Sequence, residues 1–126
     1  MAEIMRRRDK ALRDFRRKHR GEVVHLKRGA QITPVTATRA RTEHDRVEED
    51  GSVTRWISND WIVPVSEYVF AGQAVEPEPG DRVIAVENLK HVTYEVVPAQ
   101  GEHCWDWLNK SHGDYRVFSK RIATRS

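Results

Sequence analysis

The sequence holds one cysteine, Cys104, among 126 residues. A single thiol cannot close an internal disulfide, so no covalent framework braces the chain, and Cys104 reads as a reduced structural thiol. No stretch approaches the roughly 18 consecutive apolar residues that a membrane-spanning helix needs. The amino terminus has no apolar signal-peptide core and is arginine-rich from the start. These absences point to a protein made and used on the cytosolic side, with no membrane partner. Glycine is sparse: Gly72, Gly80, Gly101 and Gly113 are isolated and each reads as a turn, so no glycine-rich phosphate loop is present. There is no CxxC pair, no repeat and no low-complexity segment.

Apolar residues are also scarce, at 38%, against 33% charged. A chain of this length makes one domain with a modest core. A composition this polar suggests that partners complete its stability. The net charge of +3 is unevenly spread. Residues 1–20 carry nine Lys/Arg against three Asp/Glu, whereas residues 21–126 carry thirteen against sixteen. A basic arm on a mildly acidic body suits contact with nucleic acid or an acidic protein surface.

Two regions follow from the periodicity. Residues 2–19 predict a basic amphipathic helix within a segment 1–20. Ile4, Ala11, Leu12 and Phe15 recur at helical spacing as one narrow stripe. Glu3–Arg7, Asp9–Arg13 and Asp14–Lys18 are i to i+4 pairs with the acid first. Each such pair contributes only about 0.2–0.5 kcal/mol, so docking of the stripe must fix the helix, and Gly21 stops it. From 21 to 126 the pattern is β. Strands are expected at 22–28, 31–44, 53–64, 82–87, 91–98 and 115–122. Pro34 suggests an edge or bulge in the second, and Asp50-Gly51 a hairpin between the second and third. Residues 66–75 fit either a short helical turn or an extended piece. The prolines of 76–81 make a rigid break. A helix followed by six or seven short strands implies a mainly β fold: a small, strongly curved antiparallel β-barrel, SH3-like or similar, with an N-terminal α-helix. Closure would hide the sheet edges.

The chemistry-bearing residues are few. His103, Cys104 and His112 are zinc-type ligands close in sequence. Adjacent His and Cys rarely hold one ion with good geometry, and a fourth ligand is missing. No metal and no cofactor are expected. Cys104 with a histidine and Asp106 or Asp114 has the residue types of a thiol enzyme. Nothing around it marks a nucleophile, and a buried lone cysteine is more often a small hydrophobe. No catalytic residues are assigned. The basic run 6–20 can bind phosphate, with Arg6, Arg7, Arg8 and Arg17 as candidates for contact with DNA or with an acidic partner. It lacks the interleaved aromatics of a stacking platform, and a solvated helix face explains it equally. Trp56 and Trp61 fit a barrel wall. Trp105 and Trp107 are two apart, so on an extended segment they face one side. Either the segment is a protein–protein contact, or it folds back and the indoles cap an open barrel end.

The carboxyl-terminal half resembles a known family. "EPEPGDRV", "TYEVVP", "GEHCWDW" and "DYRVFSKRI" are similar to the small head–tail joining, or head-closure (stopper), proteins of tailed phages and prophages. The matching positions are Pro79, Gly80, Asp81, Arg82 and Val83, then Tyr94, Glu95 and Val96, then Gly101, Glu102 and Trp105, then Arg116, Val117 and Lys120. Asn59–Val63 resembles that family's middle segment. His103-Cys104 stands where the family has proline and its neighbour, and Phe118-Ser119 where it has His-Thr. The resemblance covers roughly residues 22–122.

It implies a β-barrel connector domain at 21–126, without enzymatic activity, forming a homo-oligomeric ring, a hexamer, in the virion neck. The ring would sit between the portal–adaptor assembly and the tail terminator or tail tube, with genomic DNA passing non-specifically through its lumen. Assembly would take place in the host cytoplasm. Trp105 and Trp107 then become interface candidates, as do Ile4, Leu12 and Phe15. The alternative from the residues alone is a nucleic-acid-binding β-barrel module that uses the basic helix. A metal- or thiol-dependent enzyme is a weaker third.

Overall fold

The computed structural model describes residues 21–99 and 103–125. The helix expected over 2–19, with Ile4, Leu12 and Phe15 on its stripe and Arg6, Arg7, Arg8 and Arg17 on its polar side, lies outside them. Among the described residues there is no α-helix. The strands are β1 (Glu22–Arg28), β2 (Gln31–Val47), β3 (Val53–Pro64), β4 (Val69–Phe70), β5 (Gln73–Ala74), β6 (Arg82–Glu87), β7 (Lys90–Val96), β8 (Trp105–Trp107) and β9 (Asp114–Arg125). One 3-10 turn, Val65–Glu67, follows β3.

The main sheet is antiparallel, in the order β3-β2-β1-β6-β7-β9-β8, and β3 also pairs with β9. The pairings thus run from β3 through β2, β1, β6, β7 and β9 and return to β3. Strand alternation decides which side chains enter the core. Val24 and Leu26 of β1 point in, while Val23, His25 and Lys27 point away. Val35 and Ala37, Trp61 and Val63, Val83 and Ala85, then Val92, Tyr94 and Val96, and Tyr115 and Val117 complete the core from the other strands. Pro34 occupies the part of β2 that has a strand on one edge only, β1, as its missing N–H requires.

The turns explain where expectation and structure part. Asp50-Gly51 turns the β2–β3 hairpin, with Gly51 at φ 85° and Asp50 accepting from the Ser52 amide at 2.9 Å. Residues 66–75 combine the two alternatives. They continue the 3-10 turn into a tiny β4–β5 hairpin, whose central residues Ala71 and Gly72 both have positive φ. That is a type I′ turn, and alanine at its first position gives no sequence signal for it. Asn88 and Leu89 form a similar turn between β6 and β7. Between the strands expected at 91–98 and 115–122 the structure adds one more, because β8 pairs with β9 through Trp105↔Val117, Asp106↔Arg116 and Trp107↔Tyr115.

Candidate protein–protein interface

Strand registers give the molecule two distinct ends. At one, Arg28 grips Asp81 with two bonds of 2.8 Å, from Nε and a terminal nitrogen. Asp81 is buried, and it also accepts from the Tyr68 hydroxyl at 2.7 Å and the Glu78 amide at 3.0 Å. Arg28 reaches the Glu76 carbonyl at 2.9 Å and lies over the Phe70 ring. The Asp81 bond holds the Arg28 guanidinium above its ordinary range. Burial first, then the Asp81 charge, pushes the Tyr68 hydroxyl far up. One carboxylate therefore ties β1, the residues before β4 and the proline-rich segment together.

The tryptophans lie at this same end. Trp105 and Trp107 are half-buried and pack against the core. They share a face as expected, with ring centroids 4.8 Å apart, and both touch Tyr115. His112 stacks on Trp107 at 4.4 Å. This geometry agrees with indoles that cap the core and keep part of each ring at the surface. Asp106 between them is exposed. Cys104 is buried and donates to the Pro77 carbonyl at 3.5 Å. Burial pushes its thiol up to about 11, so it stays protonated at neutral pH and behaves as a small hydrophobe. Among the described residues no group of three His, Cys, Asp or Glu is placed to hold a metal ion.

At the opposite end, charged side chains cover Trp61 and Tyr94. Arg39 binds Glu22 through two contacts of 2.8 Å and Glu87 at 3.2 Å, and its guanidinium sits 4.7 Å from the Trp61 ring centroid. That placement suits a cation–π contact. Arg121 reaches Glu87 at 3.0 Å, and the Tyr94 hydroxyl donates to Glu87 at 2.7 Å. The Tyr94 bond first, then the two arginines, holds the Glu87 carboxyl below its usual range. A group with a depressed folded pKa contributes stability above its unfolded pKa and loses it as pH falls through the folded value. Acid unfolding should therefore include a step below about pH 4 that Glu87→Gln removes. Melting temperature followed against pH in the two proteins measures it.

From this end a two-stranded arm projects. β2 pairs with β1 only as far as Ala37, and β3 pairs with β9 only from Asn59 onward. Beyond those points, among the described residues, β2 and β3 pair with each other alone, from Thr42↔Ser58 to Val47↔Val53. The projecting β2 segment, Thr42–Val47, spans about 20 Å at strand rise. Val47, Val53 and Ile57 on it are 71%, 60% and 52% exposed. Its base is polar and buried. His44 Nε2 is 2.8 Å from Ser58 Oγ, Ser58 donates to Asp60, and Asp60 accepts from Thr42 and from Arg116 Nε. His44 stacks on Trp56 and meets the edge of Phe118. His, Ser and Asp are hydrolase residue types, but Ser58 is fully buried and its proton is committed to Asp60. The cluster braces the arm against the body.

The tryptophans stand out in the sequence, whereas the arm as a separate structure does not. The Asp50-Gly51 signal gives the hairpin, yet nothing local says where its strands leave the sheet. The comparisons with known proteins add one finding: a family model described as phage head-tail joining protein matches residues 2–126. No curated protein and no solved structure matches the chain.

Proposed function

We propose, from the premise that this chain belongs to the phage head-tail joining protein family, that it acts as a ring-forming connector in the virion neck. A structural role at the junction of head and tail follows from membership. The finer reading is a hexameric ring of small barrels, set between the portal–adaptor assembly and the tail terminator or tail tube. Genomic DNA would pass through its lumen without sequence recognition. Capsid and neck would be joined in the host cytoplasm. The observation that carries this reading is the extent of the family match, which takes in essentially the whole chain.

Three features support it. The circuit of strand pairings is what a small barrel would require, and a barrel is a rigid unit for a ring. The two ends differ in chemistry, as a part with different neighbours above and below would need. Apolar side chains stand exposed on the arm, and half-buried indoles stand at the other end. Trp105 and Trp107 are proposed to meet a neighbouring virion component. The stripe of Ile4, Leu12 and Phe15 is proposed to dock on the adaptor, with Arg6, Arg7, Arg8 and Arg17 touching its acidic surface or the DNA. No catalytic step is assigned to the chain.

The test is reconstitution. Phage made without this protein should accumulate filled heads and finished tails that do not join. Adding purified protein to those extracts should restore joined particles. Full joining in its absence would overturn the reading. In the same assay, reversing the four arginines should lower joining while its salt response stays as in the parent if the stripe of Ile4, Leu12 and Phe15 does the docking. A flattened salt response would assign them to DNA.

A further inference from the structure

β3 and β9 share their last pair at Asn59 and Ser119. Past it, β3 keeps Val53–Ser58 and β9 keeps Lys120–Arg125. Both stretches run toward the arm end, and they are equal in length, about 20 Å each. β2 holds the far edge of the first, and β7 holds the far edge of the second. On the edge they would share, neither has a strand partner among the described residues. Such an edge presents a row of unpaired N–H and C=O groups, which templates addition of another strand.

The side chains favour one occupant. Val53 and Ile57 on the arm and Ile122 on β9 are exposed. From Thr42 to Ser58 the arm carries Glu43, Asp45, Glu48, Glu49 and Asp50 against Arg46 and Arg55. The β9 stretch carries Lys120, Arg121 and Arg125. Arg125 continues across the sheet into a groove of about 420 Å³ lined also by Lys27, Arg82 and His91. An acidic arm repels the phosphate backbone and attracts a basic edge, so a protein carrying that edge fits where DNA does not.

We infer that the edge is filled by a second copy of this chain, with Val53–Ser58 of one copy lying antiparallel along Lys120–Arg125 of the next. The intrachain register, continued past Asn59↔Ser119, sets Thr54 opposite Thr124. Both edges lie at the same height along the strands. A rotation about an axis along the strands moves a patch sideways without lifting it, so this contact meets the no-rise condition that a closed ring requires. The inference deepens the ring reading above and rests on it.

Mixing the single variants Thr54→Cys and Thr124→Cys under oxidising conditions tests it, because Cys104 is buried and protonated. The mixture is expected to give a disulfide-linked dimer that neither variant gives alone. The double variant should give a ladder ending at the ring size. Light scattering of the full chain supplies a second arm. Lys120→Glu with Arg125→Glu should weaken association by more than about tenfold, and adding Glu43→Lys, beside Ile57 near the Lys120 end, with Glu48→Lys, near the Arg125 end, should recover it. If the parent associates but the mixed cysteines do not link, this contact is wrong and the ring stands. A link formed within one chain overturns the contact as well, as does loss of DNA binding with association unchanged. Should the parent remain monomeric at every concentration, the ring reading falls together with the contact.

Discussion

Asp81→Ala should lower the stability of the fold by about 3–5 kcal/mol, the range for removing one partner of a buried, hydrogen-bonded ion pair. For a domain of this size that is a fall in Tm of roughly 10–20 °C. The magnitude comes from what is left behind. Arg28 loses the acceptor of its Nε and one terminal nitrogen, and the buried Tyr68 hydroxyl loses its partner. The Glu78 amide loses its acceptor too. Most of these groups cannot recover the bond from water without opening the end of the molecule. Asp81→Asn keeps the shape and one acceptor oxygen but removes the charge, so it should fall between parent and alanine variant. Thermal unfolding of the three proteins gives the ranking. Equal stability of Asp81→Ala and the parent would show that this end is not held by its ion pair. Because the tryptophan surface lies at the same end, joining activity should fall along with Tm in this series.

The stretch around Asp81 also shows how far a linear reading goes. Gly80-Asp81-Arg82 was recognisable as the start of a strand, and β6 does begin at Arg82. That Asp81 would be buried under Arg28, far away in the chain, was not readable, because the partner is supplied by topology and not by spacing. β1, β3 and β6 were legible at their full extent, since alternating β-branched residues bounded by glycine or proline describe a half-buried strand directly. β8 was not. Three residues with an exposed Asp106 carry too little alternation to register, and the strand exists because β9 offers it an edge. Ala71 was silent for a different reason. Its positive φ is imposed by the β4–β5 turn against alanine's own preference, so local propensity argued for something else.

The interface candidates divide in the same way. Trp105 and Trp107 stood out because indoles in a polar stretch are unusual, and the structure brings them together on one face with Tyr115. The arm did not stand out. Its sequence reads as two good strands, and only the point where β1 and β9 stop pairing turns it into a projection. A two-stranded ribbon is marginal by itself in water, so what anchors its base matters more than what lies along it.

Asp60 is that anchor, and Asp60→Ala is the second large effect expected. Its fully buried carboxylate accepts from Thr42 on β2, from Ser58 on its own strand and from Arg116 on β9. It therefore joins three strands where the arm leaves the body. Replacing it with alanine strands the Arg116 guanidinium, which among the described residues then keeps the Arg41 carbonyl at 3.1 Å. It also unseats Ser58, and with it His44, whose Nδ1 already lacks a hydrogen-bond partner among the described residues. The expected cost is again about 3–5 kcal/mol, but with a different distribution from Asp81→Ala. Amide hydrogen exchange should quicken first along Thr42–Val47 and Val53–Ser58, while β1, β6 and β7 keep most of their protection. If the arm carries the contact between copies, ring formation should fail at temperatures where the body of Asp60→Ala is still folded. Uniform loss of protection across all strands would mean that Asp60 supports the fold as a whole and that the arm is no separate unit. Ring formation unimpaired, with the arm exchanging freely, would mean that copies meet elsewhere.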